Sequence, residues 1–154
     1  VSLEMHKIDF SQLILQMNGE FREKFAERNL SLVCSLPEEP MLINADGARL
    51  FRVIENLYNN AAKYALPGTR IYVDGTITQG FVTVTVRNVS EYPLNISAEE
   101  LTERFVRGDL ARTSEGSGLG LEIAKNLTVM QGGTFDIVLD GDLFKVVIAF
   151  PQAS

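Results

Sequence analysis

The spacing of the strand-like segments is the feature that most constrains the fold. Residues 70–78 and 81–88 are rich in β-branched side chains and are separated by Gln79 and Gly80, and a second such pair, 134–139 and 143–150, flanks Asp-Gly-Asp. Short connections that contain glycine predict β-hairpins. Because the strands come in pairs rather than singly between helices, a doubly wound parallel sheet is disfavoured. We therefore expect a mixed or mainly antiparallel sheet.

Three segments have a helical period. Apolar residues recur at spacings of three and four over residues 10–25, with Asp9 as the expected N-cap. A second helix is predicted over residues 47–64 with Asp46 as its N-cap, and a third over residues 118–131, ended by a Gly-Gly pair. Together with the hairpins, they predict an α+β fold, a two-layer α/β sandwich with the three helices on one face of the sheet.

The remaining segments are shorter or lack a period. Residues 30–36 alternate as a half-buried strand, with Cys34 expected as a small packed thiol, and residues 41–43 are interpreted as its short partner strand. Residues 90–117 form a predicted long loop, with helical turns over 98–105. A loop of this length in a compact domain is usually functional or mobile.

Composition excludes several classes of function. The 154 residues suit one domain, and a single Cys and a single His leave no internal disulfide and no Cys/His zinc site. A net charge of −6 disfavours a general nucleic-acid binder. No apolar run is long enough to span a bilayer, and no signal-peptide pattern is present. We expect a cytoplasmic domain with neither nucleic-acid nor membrane contact.

Three polar or glycine-rich features indicate chemistry. The first is the run Gly116, Ser117, Gly118, Leu119 and Gly120, whose glycines open the third helix. Glycines at this spacing allow backbone to approach a phosphate, and a helix N-terminus supplies free N–H groups. The alternative is a simple turn. The run matches neither the Walker pattern nor the dinucleotide fingerprint.

The second feature is a polar flank of the second helix. Asn56, Asn60 and Lys63 lie within about 60° of one another around the helix axis. Two amides and an ammonium placed in this way suit a hydrated magnesium ion and phosphate oxygens. A solvated polar face is the alternative, and spacing alone favours it.

The third feature is a group of arginines in the long loop, Arg104, Arg107 and Arg112, around Phe105. Such arginines can neutralise the charge of a transferring phosphoryl group. The alternatives are solvated arginines and a phenylalanine that belongs to the core.

In their order along the chain, these helices, hairpins and motifs resemble the catalytic ATP-binding domain of sensor histidine kinases. That domain belongs to the Bergerat-fold superfamily, with DNA gyrase, a heat-shock chaperone family and the mismatch-repair ATPases. Residues 49–64 (RLFRVIENLYNNAAKY) look like its N box, 101–109 (LTERFVRGD) like its F box and 116–121 (GSGLGL) like its G2 box. The resemblance covers nearly the whole chain.

The resemblance implies ATP and Mg²⁺ as cofactors and a role for each matching residue. Asn60 would be the magnesium ligand, and Asn60, Lys63 and Arg107 the catalytic residues. Residues 90–117 would be a lid over the nucleotide. The implied nucleotide contacts are Asn56, Asn60, Lys63, Tyr64, Asn88, Arg104, Phe105, Arg107, Gly116, Ser117, Gly118, Leu119 and Gly120.

Two positions depart from patterns of the superfamily. The G1 box, normally Asp-x-Gly-x-Gly, is replaced by residues 88–92 (NVSEY), so that Asn88 offers adenine a neutral acceptor, worth less than a carboxylate by about 1 kcal/mol. The hydrolytic branch carries a glutamate where Asn56 stands. Without that base, phosphoryl transfer to a protein is favoured over hydrolysis.

His6 is followed by Lys7 and precedes a core helix, so we interpret it as a surface or linker histidine rather than a phosphoacceptor. The expected partners are therefore ATP, a dimerisation and phosphoacceptor domain of the same kinase, and a downstream response regulator. The parent protein is expected to be anchored in the cell membrane. Two alternatives stay open: a non-catalytic nucleotide-binding regulatory module, and a serine/threonine kinase of the same fold.

Overall fold

The computed structural model describes residues 2–92 and 120–154. The strands and helices of these residues are, in chain order, β1 (His6–Asp9), α1 (Phe10–Glu27), β2 (Ser31–Ser35), β3 (Leu42–Ala45), α2 (Gly47–Tyr64), β4 (Arg70–Thr78), β5 (Phe81–Val89), α3 (Gly120–Met130), β6 (Thr134–Asp140) and β7 (Leu143–Pro151). All three predicted helices are present. The predicted helical turns over 98–105 lie outside the described residues.

The main sheet has five strands in the order β2-β4-β5-β7-β6. The β4–β5, β5–β7 and β6–β7 pairs are antiparallel, whereas β2 and β4 are parallel. Both predicted hairpins are confirmed. Gln79 and Gly80 adopt φ values of 53° and 82°, and Gly141 adopts a φ of 60°, as tight hairpin turns require. The sheet is therefore mixed, as its paired strands indicated.

The three helices cover one face of this sheet and enclose the core. Alternate residues of β5 and β7 point into it, as do the apolar stripes of α1 and α2. Asp9 and Asp46 cap α1 and α2 as predicted, since each carboxylate accepts the backbone N–H three residues later. None of the helices in the described ranges has the length and apolarity needed to cross a membrane.

A second, two-stranded sheet was not predicted. β1 pairs with β3 in an antiparallel ladder, from His6 opposite Ala45 to Asp9 opposite Leu42. The strand expected at residues 41–43 is therefore wrong in its bounds and in its partner, because β2 pairs with β4 instead. β1 has four residues, of which only Ile8 is apolar, so it has no period to detect. His6 is exposed at its start, as expected of a surface residue.

The prediction that Cys34 is packed is wrong, because its side chain is exposed. β2 is an edge strand, and Cys34 lies between two open grooves of about 320 and 400 Å³ that separate β2 from α1. Partial burial nevertheless raises the pKa of its thiol, against the opposing effect of a hydrogen bond with the Asn18 side chain, and the Asp74 carboxylate raises it further. A thiol with a raised pKa carries little thiolate at neutral pH.

Candidate nucleotide site

The buried face of α2 determines which of its side chains are left for a ligand. The apolar residues of that face are Leu50, Val53, Ile54, Leu57, Tyr58, Ala61 and Ala62. Tyr58 is anchored by its hydroxyl, which donates a hydrogen bond of 2.6 Å to Asn18 Oδ1 on α1. Burial raises the pKa of the Tyr58 phenol well above its ordinary value, so it remains a neutral donor. With this face inward, Asn56, Asn60 and Lys63 lie half-buried along one flank.

The first turn of α3 packs against this flank. A Cβ placed on Gly120 would lie 4.0 Å from the Cβ of Asn56, and Leu121 is buried in the core. Asn56 Nδ2 is buried and has no hydrogen-bond partner among the described residues. Because a buried donor without a partner costs about 1–3 kcal/mol, its position indicates an acceptor that is not one of those residues.

The C-terminal end of α2 is joined to the end of β5. The Leu66 N–H donates to Val89 O at 2.8 Å, and the Glu91 N–H donates to Tyr64 O at 2.8 Å. Asn88 is the last inward-facing residue of β5 and is 3 % exposed. The inward-facing residues before it on β5 are buried valines, so Asn88 puts a polar amide at the end of an apolar row. Its cross-strand neighbours are Ile71 of β4 and Phe144 of β7. Tyr64 and Asn88 are thereby brought to adjoining ends of two elements.

Arg28 is a residue that sequence reasoning missed. Its Nη1 atom donates to Ala62 O at 2.6 Å and to Lys63 O at 2.8 Å, and its Nη2 atom lies 3.0 Å from a carboxylate oxygen of Glu91. These carbonyls belong to the last turn of α2, where backbone acceptors have no partner within the helix. No local pattern reveals this contact, because the accepting carbonyls lie 34 and 35 residues further along the chain.

Several predicted site residues lie outside the described residues: Arg104, Phe105, Arg107, Gly116, Ser117, Gly118 and Leu119. Of the predicted residues that are described, Asn56, Asn60, Lys63 and Tyr64 lie on α2, and the first of these adjoins Gly120. Asn88 adjoins the other end through the α2–β5 hydrogen bonds. Their roles stay predictions.

The described residues contain no group of three or more His, Cys, Asp or Glu side chains that could hold a metal ion. The oxygen donors that the flank itself carries are the side-chain amides of Asn56 and Asn60. In proteins Mg²⁺ usually keeps several waters and substrate phosphates among its ligands and takes only one or two from side chains, most often carboxylates.

Three helices over one face of a mixed sheet, with two amides and a lysine along one flank of α2 and Asn56 of that flank against Gly120 of α3, define a domain of the Bergerat-fold class. The family model for the histidine kinase-, DNA gyrase B- and HSP90-like ATPases matches residues 45–153. The chain belongs to this family.

Within this family, the chain is similar to sensor histidine kinases. The sensor protein VanS of Enterococcus faecium is 31 % identical over 135 residues, which cover 86 % of this chain and 35 % of VanS. The chain thus spans about a third of that relative's length. The catalytic domain of histidine kinase ThkA has the same fold, with a TM-score of 0.82, 23 % identity and 97 % of both chains covered. Full-length ShkA in complex with AMPPNP matches with a TM-score of 0.79 at 20 % identity, over 100 % of this chain and 33 % of ShkA.

Proposed function

We propose that the chain is the catalytic ATP-binding domain of a sensor histidine kinase. In this proposal it binds Mg²⁺–ATP and transfers the γ-phosphoryl group to a histidine of a separate dimerisation domain. The observation that carries the proposal is the α2 flank, which carries Asn56, Asn60 and Lys63 and whose Asn56 lies against Gly120 at the start of α3. The similarity to VanS over 86 % of the chain supports the same assignment.

The residues of the flank fit a magnesium ion and a triphosphate. Asn60 offers a hard amide oxygen, which suits Mg²⁺, and Asn56 offers a buried N–H that an anionic oxygen would satisfy. When bound, the metal would neutralise charge on the β- and γ-phosphate oxygens. Asn60 would hold this ion.

The protein's own contribution is positioning and charge neutralisation. Lys63 would contact phosphate oxygens from the last turn of α2, and the backbone N–H groups at the start of α3 would point toward the same anion. Arg107 and the glycines at 116 and 118 complete the predicted phosphate contacts. Arg104 and Phe105 are proposed as further nucleotide contacts, together with Ser117 and Leu119.

The flank favours transfer to a protein over hydrolysis. Activation of water needs a group that accepts its proton. Asn56 carries an amide, which does not act as a base, and its buried Nδ2 atom has no acceptor among the described residues. A protein nucleophile aligned by its own domain would not need a base at this position.

Asn88 is proposed to bind the adenine amino group through its side-chain oxygen. It is almost fully buried at the end of β5, next to the segment that carries Tyr64. A neutral acceptor is weaker than the aspartate typical of the family, so we expect a modest nucleotide affinity. Tyr64 is proposed to flank the nucleotide.

The rest of the signalling protein is part of the proposal. The sequence contains one histidine, His6, which is exposed in β1 and lies opposite Ala45 in the ladder with β3. The acceptor would thus be a histidine of a dimerisation domain, and a response regulator would receive the phosphoryl group from it. We propose that this domain works in the cytoplasm, while its parent protein is anchored in the cell membrane.

Two measurements test the proposal. Calorimetric titration with AMPPNP and Mg²⁺ should show binding that is weaker with guanine nucleotides and is weakened by chelation of the metal. Incubation with γ-labelled ATP and a separately produced acceptor domain should label histidine, giving a product that acid destroys. Asn60→Ala should weaken both, and Asn59→Ala is its matched control. Asn59 lies on the same helix, but it accepts a hydrogen bond from Lys24 of α1.

The outcomes separate the alternatives. Binding without transfer to any acceptor would favour a nucleotide-binding regulatory module, which the neutral Asn88 also suits. An acid-stable label would identify a serine/threonine kinase. Absence of nucleotide binding would contradict every function that depends on the α2 flank.

A further inference from the structure

Arg28 joins three segments that are far apart in the sequence. It follows the last residue of α1, its guanidinium caps two carbonyls of the last turn of α2, and it forms an ion pair with Glu91, two residues beyond β5. The side chains of Arg28 and Glu91 are 28 % and 36 % exposed. The guanidinium is charged and both carbonyl acceptors lie at the negative end of the α2 dipole, so these hydrogen bonds are stronger than neutral ones.

The backbone around Arg28 is itself fixed. The Asn29 N–H donates to Ala26 O and the Leu30 N–H to Phe25 O, and Asn29 adopts a φ of 57°, which together form a Schellman end of α1. Asn29 O in turn accepts the Gly68 N–H at 2.8 Å. Arg28 therefore extends from a rigid turn that is already attached to the segment after α2.

Two of the elements joined by Arg28 carry predicted nucleotide contacts. The last turn of α2 carries Lys63 and Tyr64, and the end of β5 carries Asn88. The side chain of Arg28 contacts the backbone of the first of these elements and Glu91 beyond the second. Arg28 thus bridges the last turn of α2 and the segment after β5 through two backbone carbonyls and the Glu91 carboxylate.

We propose that Arg28 is a positioning residue of the nucleotide site, which holds the last turn of α2 against the end of β5 so that Lys63, Tyr64 and Asn88 meet one nucleotide. This inference rests on the proposed function. Arginine suits the role because its planar guanidinium holds several N–H donors in a fixed geometry and can serve several acceptors at once. The lysine ammonium is a compact point charge on a flexible stem. Lysine at this position would keep the charge and lose part of the geometry.

The experiment measures affinity and stability separately. The chain and its Arg28→Ala, Arg28→Lys and Glu91→Gln variants are titrated with Mg²⁺–AMPPNP at a temperature well below each variant's Tm. Arg22→Ala is the matched control, since Arg22 is an exposed arginine of α1, the helix that Arg28 follows. We expect Arg28→Ala to bind about tenfold more weakly, the lower end of the effect of removing an orienting partner. Arg28→Lys should recover part of the loss, and Arg22→Ala should stay within about twofold.

Amide exchange supplies a second measurement, which needs no ligand. The Ala65 N–H donates to Ala61 O at 3.0 Å and the Leu66 N–H to Val89 O at 2.8 Å. In Arg28→Ala both amides should exchange faster relative to those in the middle of α2, and no such selective change is expected in Arg22→Ala. A merely global loss of stability would raise exchange throughout the helix instead.

The results distinguish this inference from the proposed function. If the unaltered chain binds Mg²⁺–AMPPNP and folded Arg28→Ala binds it equally well, Arg28 has no positioning role, while the proposed function stands. If the unaltered chain does not bind, both are overturned. Should Arg28→Ala fail to fold, equal affinity of Arg28→Lys, Glu91→Gln and the unaltered chain would overturn the inference, and a loss of severalfold in Arg28→Lys would support it.

Discussion

The two ends of α2 are held by different means. At the N-terminal end Asp46 accepts hydrogen bonds from the backbone N–H groups of Glu4 and Arg49, and its own N–H donates to Gln131 Oε1. At the C-terminal end the carbonyls of Ala62 and Lys63 accept from Arg28. One end is satisfied mainly by a cap that belongs to the helix itself, and the other by a side chain from the end of α1.

This difference separates stability from binding. The Asp46 cap fixes where α2 begins, yet none of the predicted nucleotide contacts lies in that first turn. The polar flank runs from Asn56 toward the C-terminal end, where the helix meets β5. Substitutions at the N-terminal end should therefore change mainly the free energy of unfolding, and those along the flank mainly the affinity for nucleotide.

The largest effect is expected for Asn60→Ala. Loss of the proposed metal ligand should lower phosphoryl transfer on the order of 100-fold, comparable to removal of a charge-stabilising group from an active site. Because Asn60 is only half-buried, the Tm of the variant should differ from that of the unaltered chain by no more than a few degrees. Transfer assays and thermal melting measure the two quantities. If Asn60→Ala transfers phosphate at a nearly normal rate, as Asn59→Ala is expected to do, the α2 flank takes no part in phosphoryl transfer.

Asp46→Ala should have the opposite profile. The orphan N–H groups of the first turn and of Glu4 lose their acceptor, so we expect Tm to fall by about 4 °C. Nucleotide affinity of the folded variant should stay within about twofold, as for a site remote from the ligand. A large loss of affinity at unchanged Tm would contradict the separation of the two ends.

The same cap predicts a pH dependence with a definite sign. Hydrogen bonds from Glu4 and Arg49 hold the pKa of the Asp46 carboxyl below its ordinary value of 3.8. A lowered pKa in the folded state stabilises the protein above that ordinary value, and this contribution is lost as the pH falls further toward the lowered pKa. In urea titrations, the difference in stability between the unaltered chain and Asp46→Asn should therefore shrink below pH 3.8. A difference that grows as the pH falls would contradict this assignment.

The two ends also differ in how far the sequence reveals them. Asp46 was predicted as the N-cap because capping is a local relation over three residues. Arg28 was not predicted, because its acceptors become neighbours only after α1 and α2 have packed together. Hairpins and helices, like the cap, follow from local sequence. The β1–β3 pair and the exposure of Cys34 follow instead from tertiary packing, since they depend on which strand lies next to which.

The site follows the same rule. Spacing on one helix predicted that Asn56, Asn60 and Lys63 share a flank, and the half-buried positions of all three agree with it. The sequence offered no physical reason to bring Asn88 near Tyr64, and only the resemblance did so. In the structure, the hydrogen bonds between the end of β5 and the end of α2 supply that reason.

Asn88→Asp should produce a smaller change, of opposite sign to the first. A carboxylate would give adenine a charge-assisted hydrogen bond, worth about 1 kcal/mol more than a neutral one, so AMPPNP should bind severalfold more tightly. Without ligand, the buried charge should lower Tm, since position 88 is almost fully enclosed. Titrations with adenine and guanine nucleotides test this, and an equal gain for both bases would show that position 88 does not contact adenine.

The smallest effect is expected for Arg49→Ala, which removes the ion pair at the N-terminal end and leaves the cap. The Arg49 side chain lies 2.9 Å from Asp46 Oδ2, but it is 29 % exposed, and a cation in the first turn opposes the helix dipole. The backbone N–H of residue 49 still donates to the carboxylate after substitution. We therefore expect Tm to change by less than about 2 °C, with little dependence on salt. A fall as large as that of Asp46→Ala would show that this end, like the other, is held by an arginine side chain rather than by the local cap.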